Sequence, residues 1–338
     1  MKRKSFSYSL TFSALLLGLI GVLGLSLCMG RYPIGLREIP QILWGRLTGV
    51  QGAYSPVQEA LLLEHRLPRV LLAAMVGCCL SSAGASYQGV FRNPMAAPDL
   101  LGASGGAAFG AALALLLGLS RGQVIALAFL CSLASVALVL LIGKRCRGKR
   151  VLGLILGGIM VSSLLSSATS LIKLVADPED QLPAITYWLM GSFNAVGRKE
   201  LLVALFPMII GTVPLLLLRW RINLLTLGDE EAHSLGIRPD RLRFAVILCA
   251  TLITAASVAV SGVIGWVGLV VPHLMRKLVG DNYQKLLPCS MIFGGSFLLL
   301  IDDISRNLFA TEIPIGILTG FVGAPFFLYM ITKDGERH

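Results

Sequence analysis

Long apolar runs separated by short polar breaks dominate this chain. They lie at about 7–29, 68–89, 99–118, 122–143, 151–173, 200–218, 244–262, 263–279, 286–302 and 313–332. A helix needs about 20 mainly apolar residues to cross a bilayer core. The pattern therefore predicts ten membrane-spanning helices and an all-α polytopic fold. The seventh and eighth runs are interrupted only by Ser261-Gly262. One helix of their combined length would overshoot a bilayer, so a sharp turn is expected near Gly262. The first run follows Lys2, Arg3 and Lys4 and imitates a secretory leader. It exceeds the roughly 7–15-residue apolar core of a leader and lacks a small-residue cleavage site. Leu25-Ser26-Leu27-Cys28 faintly resembles a lipoprotein box, but Leu27 stands where a small residue is needed. The run is read as a retained first helix.

Polar positions set the topology. With the N-terminus inside and the ten runs alternating, 19 of the 29 Lys and Arg residues fall on the cytoplasmic side and nine on the outer side. This asymmetry predicts both termini inside. It also explains the net charge of +11 as a topology signal rather than a nucleic-acid surface. Three longer connections remain: outer segments 30–67 and 174–199, and a cytoplasmic segment, 219–243. The first is expected to hold an amphipathic piece around Leu36–Leu47. The second carries interfacial aromatics Tyr187 and Trp188. No soluble domain stands out, so residues 1–338 read as a single transmembrane domain.

Composition agrees: 55% of residues are hydrophobic and 14% charged, against about 25% charged in soluble domains. Seven cysteines (Cys28, Cys78, Cys79, Cys131, Cys146, Cys249 and Cys289) form no CxxC pair and read as small apolar fillers. No Asp, Glu, Lys or Arg interrupts 70–90, 100–118, 123–143, 151–172, 201–218, 244–275, 286–301 or 313–332. Ion-coupled carriers place ionisable groups at mid-membrane, so this absence argues against such a carrier. No paired ligands for a redox cofactor appear, and His273 is a lone histidine without the further ligands a metal needs. No GxxxxGK[ST] loop is present to cradle ATP phosphates. The chain is expected to bind no cofactor and to catalyse nothing itself, with a separate ATPase supplying the energy.

Six stretches, in order, resemble the iron-siderophore and cobalamin permease family of bacterial ABC importers. They are His65–Arg69, Gln88–Gly102, Trp188–Phe193, Leu227–Gly236, Gly262–His273 and Glu312–Gly320 running on to Phe327. The resemblance implies ten helices per subunit and a homodimer in a bacterial inner membrane. It also implies two ATP-binding cassette subunits and a periplasmic or lipid-anchored substrate-binding protein. Iron-siderophore complexes lead as the implied cargo. Cobalamin, haem and molybdate are alternatives within the same architecture, and an ion-coupled secondary transporter is the alternative from another class.

The resemblance assigns roles to three residue sets. Gly228, Asp229, Glu230, Glu231, Ala232, Leu235 and Gly236 form a short polar helix bracketed by glycines, with acids in its first turn. This would be the helix that docks in the ATPase; the bland reading is a solvated loop helix. Arg66, Arg69 and Arg306, at the outer mouth, would form a salt-bridge platform for the binding protein. The bland reading is snorkelling to lipid phosphate. Pro68 is expected to open the second span at its first turn, and Asp302 and Asp303 to lie at a solvated helix end beside Arg306. Gln88, Phe91, Arg92, Asn93 and Pro94 would lie at the inner gate, with a second gate region around Lys149 to Leu152. A plain tight turn is the alternative for any one of these residues.

Overall fold

A computed structural model describes residues 8–30, 32, 34–49, 54–145 and 150–335. Every apolar run is helical, and no strand occurs among the described residues. The helices are α1 (Tyr8–Cys28), α2 (Glu38–Thr48), α3 (Pro56–Ala60), α4 (Leu67–Val90), α5 (Ala103–Leu116), α6 (Arg121–Arg145), α7 (Arg150–Val175), α8 (Gln181–Leu189), α9 (Arg198–Leu227), α10 (Asp229–Ser234), α11 (Pro239–Ser261), α12 (Val267–Val279), α13 (Tyr283–Asn307) and α14 (Ile315–Gly335). A π-helical turn spans Leu61–Arg66, and a 3-10 turn, Pro98–Leu101, precedes α5.

Seven of the helices are long and apolar enough to cross a bilayer: α1, the α3–α4 unit, α6, α7, α9, α11 and α13. The runs at α5 and α12 give shorter elements, of 14 and 13 residues, and α14 has 21 residues. The 13 residues of α12 rise only about 20 Å at 1.5 Å per residue, short of a core about 30 Å thick.

Pro68 does not open the second span, because the helix continues through it from Pro56 to Val90. A proline lacks the N–H for the preceding turn, and its ring crowds the carbonyl four residues back. The wider π turn at Leu61–Arg66 gives that ring room. The helix instead begins at Ser55, whose hydroxyl accepts from the Gln58 N–H at 3.2 Å while the Gln58 side chain accepts from Ser55 N–H at 2.9 Å. The connection expected at 30–67 is thus shorter. Its amphipathic piece is α2, closed by Gly49 at φ 73°. Segment 174–199 likewise folds, into α8 with buried Ile185. The polar segment 219–243 shrinks from both sides, because α9 runs on to Leu227 and α11 starts at Pro239.

The core centres on α4, which is covered by α13, α11, α9, α12 and α1. Small residues allow backbones to touch, as expected where helices pack without a hydrophobic drive. A Cβ on Gly77 would overlap the Gly294 carbonyl of α13, and one on Gly84 the Gly268 carbonyl of α12. By contrast α1, α6, α7 and α9 leave most of their apolar surface outward.

The expected turn at Gly262 is present. Gly262 has φ 71°, α11 ends at Ser261, and α12 starts at Val267. The break is held from the side by the Met190–Ser192 backbone. Ser192 N–H donates to the Ser261 carbonyl at 2.7 Å, Ile315 N–H to Gly191 at 2.8 Å, and Gly316 N–H to Met190 at 3.0 Å. One crossing point therefore ties the end of α8, the α11–α12 break and the start of α14.

Candidate coupling and gating site

The acidic helix lies at the end of the bundle where α9 passes into α11. Gly228 ends α9 at φ 139°, a conformation L side chains rarely adopt, and a Cβ there would overlap the Glu231 carboxylate. The other end of α10 closes as a Schellman motif. Ile237 N–H donates to Ala232 O at 3.1 Å and Gly236 N–H to His233 O at 3.0 Å, with Gly236 left-handed at φ 80°. Both glycines picked out in the sequence thus bracket α10 for a conformational reason.

One side of α10 is fixed to the bundle. Ala232 is buried. Asp229 takes a hydrogen bond of 2.8 Å from Arg243 Nη2, and the Arg243 side chain is almost fully enclosed. Asp240 sits 3.5 Å from the same guanidinium. The other side is free: Glu230, Glu231 and Leu235 are exposed. The arrangement is a short helix clamped at one foot, presenting two carboxylates and a leucine outward. Such a surface can receive a groove on another protein and pass force into α9 and α11.

The five residues expected at the inner gate do not form one feature. Gln88 and Phe91 are buried, and Phe91 stacks on Tyr87 with ring centroids 5.8 Å apart. Arg92, Asn93 and Pro94 are exposed, with Arg92 at φ 48°. The turn is pinned by Asn93 N–H to Gln88 O at 3.1 Å and Met95 N–H to Asn93 Oδ1 at 2.9 Å. This turn and α10 share one end of the molecule, since Gly89 has no room for a Cβ between Ile222 of α9 and Tyr283 of α13. Of the second gate region, Lys149 lies outside the described residues; Val151 and Leu152 belong to the first turns of α7.

The three arginines gather at the opposite end but are turned inward, a departure from the expected platform. Arg66 is buried and donates to the carbonyls of Leu27 at 3.1 Å, Cys28 at 3.3 Å and Tyr32. It thereby caps the last turn of α1. Arg69 holds Asp302 at 2.9 Å and Glu312 at 3.0 Å. Arg306 pairs with Asp302 at 3.2 Å, with Asp303, and with the Ser26 hydroxyl at 2.9 Å. Asp302 and Asp303 are 0% and 4% exposed, so they are not a solvated helix end. The physical reason is supply: burying three cations is tolerable only with matched anions and carbonyls; α13 and Glu312 provide the anions for Arg69 and Arg306, and the end of α1 provides the carbonyls for Arg66.

Several polar residues at the α10 end were not singled out from sequence. Arg276 of α12 reaches Gln88 at 2.6 Å and the Tyr283 hydroxyl at 2.9 Å. Asn223 of α9 bonds Asn282 at 3.0 Å and accepts from Tyr283 N–H at 2.7 Å. The available signal was the amphipathicity of α12, whose first six residues are apolar or proline and which places Arg276 and Lys277 in its last turn.

A family model described as the FecCD transport family matches residues 16–333. The chain belongs to the FecCD transport family. As a FecCD member it is an ABC transporter permease and a multi-pass protein of the bacterial inner membrane. It is 41% identical over 327 residues to the molybdate import system permease protein MolB of Haemophilus influenzae, covering 97% of this chain and 96% of that one. It is 43% identical over 275 residues to the "Probable iron chelatin transport system permease protein" of Helicobacter pylori, covering 81% and 82%. A solved chain described as an ABC transporter of metal-chelate type, in an inward-facing conformation, superposes with a TM-score of 0.86. It is 39% identical, covering 95% of this chain and 98% of that one. Three of the six stretches quoted from the sequence fall on α10, the α4–α5 turn and the α11–α12 break, and the others at the start of α4, the end of α8 and on α14.

Proposed function

We propose that this chain is one protomer of a homodimeric permease in a binding-protein-dependent importer, with ten spans and both termini in the cytoplasm. Two separate ATP-hydrolysing subunits dock on α10 and drive it. The carrying observation is the construction of α10, clamped through Asp229–Arg243 and buried Ala232 while Glu230, Glu231 and Leu235 stay outward. The uncharged mid-spans support the same reading, since among the described residues the buried charge pairs sit at helix ends.

The translocation path runs between the two protomers. The outward face of α7 supports this placement, because it exposes Ser163, Ser166, Ser167 and Ser170 along one side of a membrane helix. A row of hydroxyls suits a wet passage better than lipid. Ferric siderophore and related iron chelates are the proposed cargo, in line with the iron chelatin relative. Molybdate is a second reading, favoured by 41% identity to MolB across nearly both whole chains.

The test is reconstitution in liposomes with ATPase subunits and a cargo-loaded binding protein. Uptake that needs ATP inside and ignores proton and sodium gradients is the expected result. Uptake by the permease alone, driven by an ion gradient, overturns the proposal.

A further inference from the structure

We propose that Arg276 is a positioning residue that latches the inner end of α4, and with it the Arg92–Pro94 turn, to the α12–α13 junction, so that the turn moves with the helices bearing α10. The latch rests on the coupling reading above and names the group that ties the Arg92–Pro94 turn to the stem of α10. Each edge of the Arg276 guanidinium meets a different element. Nη1 donates to Gln88 Oε1 of α4 at 2.6 Å, and Nη2 to the Tyr283 hydroxyl of α13 at 2.9 Å. Nε lies 3.4 Å from the exposed Asp281 carboxylate in the connection between α12 and α13.

The partners are themselves held. Gln88 is 2% exposed, and its amide also faces the Gly268 carbonyl of α12 at 3.5 Å. Tyr283 is buried, and its own N–H donates to Asn223 of α9, five residues before Gly228 and α10. The series Asn223, Tyr283, Arg276, Gln88 thus runs in direct bonds from the stem of the acidic helix to the turn. The Gln88 carbonyl in turn accepts from Asn93 N–H, so a shift of Gln88 is a shift of the turn. A planar guanidinium suits this task because it bonds in several fixed directions at once. Losing it leaves a buried amide oxygen and a buried phenol without a partner.

Two measurements test the latch. The first uses the full chain alone in lipid nanodiscs, followed by amide hydrogen exchange. In Arg276→Met, exchange at Arg92, Asn93 and Ala96 is expected to rise about tenfold while α6 and α7 keep their wild-type rates; Arg276→Lys should restore only part of the protection, because an ammonium lacks the fixed fork that reaches all three partners. Unchanged exchange in Arg276→Met overturns the latch, and so does an equal rise in every helix, which marks a plain folding defect. The second uses the assembled transporter in liposomes, offered ferric hydroxamate chelate, haem, cobalamin and molybdate separately. The ratio of cargo moved to ATP hydrolysed is expected to fall at least tenfold in Arg276→Met and in Gln88→Ala, with the double variant no worse than the worse single. Fully additive losses, or a wild-type ratio, overturn the latch. A wild-type transporter that moves none of the four with ATP overturns the functional reading instead, and the exchange result then decides the latch by itself.

Discussion

Arg69 grips Asp302 across 233 positions of sequence, with Nη2 at 2.9 Å and Nε at 3.2 Å from the carboxylate. The second face of the guanidinium holds Glu312 through both oxygens at 3.0 Å. Asp302 has no exposed surface and also receives Arg306 from one turn along α13. The cluster joins α4, α13 and the approach to α14, while Arg66 and Ser26 bring in the end of α1.

Breaking this cluster from one side should cost far more than the pair contributes when whole. Arg69→Met leaves buried Asp302 short of a cation, and uncompensated buried charge costs about 3–5 kcal/mol. A clearly lowered melting temperature of the purified protein in detergent is expected. Arg69→Lys should recover only part of the loss, because an ammonium cannot serve both carboxylates in the same forked geometry. A melting temperature equal to wild type for Arg69→Met would refute the structural role assigned here.

The approach of α4 to α12 offers a second test. A Cβ at Gly84 would overlap the Gly268 carbonyl, and backbone cannot yield as a flexible side chain can. Gly84→Ala is expected to destabilise by about 1–3 kcal/mol, the usual range for overpacking. The same change at Gly122, where an added Cβ meets nothing within 4 Å, should be near neutral and serves as the control in the same thermal assay.

Gly236 tests the acidic helix. Its φ of 80° is closed to proline, which is fixed near −65°, and the substitution also deletes the N–H that bonds His233 O. Gly236→Pro should insert and fold, since the site is exposed and far from the core. The ratio of transport to ATP hydrolysis should nevertheless fall by an order of magnitude. Wild-type coupling in that variant would remove the role proposed for α10.

Topology can be read by labelling single cysteines with a membrane-impermeant maleimide. In a ten-span chain, position 194 reacts from outside intact cells and position 230 only after permeabilisation. If α5 does not cross, the two positions exchange sides. Both positions follow α5 and precede α12, so the experiment decides whether α5 completes a crossing.

The ten apolar runs and their helical state were legible because bilayer solvation is a local rule: a long greasy segment must satisfy its own backbone, and only a helix does so. The break at Gly262 and the glycine brackets of α10 were equally local, fixed by backbone conformations that side-chain-bearing residues avoid. What the tertiary structure alone decided is which groups meet. Spacing along the chain does not reveal that Arg69 faces Asp302 or that Arg276 faces Gln88, 188 residues away. Nor does it reveal that three arginines at a helix mouth turn inward, because that depends on anions from α13 and carbonyls from the end of α1. Charge burial is a property of the packed ensemble of helices, and sequence order carries no record of it.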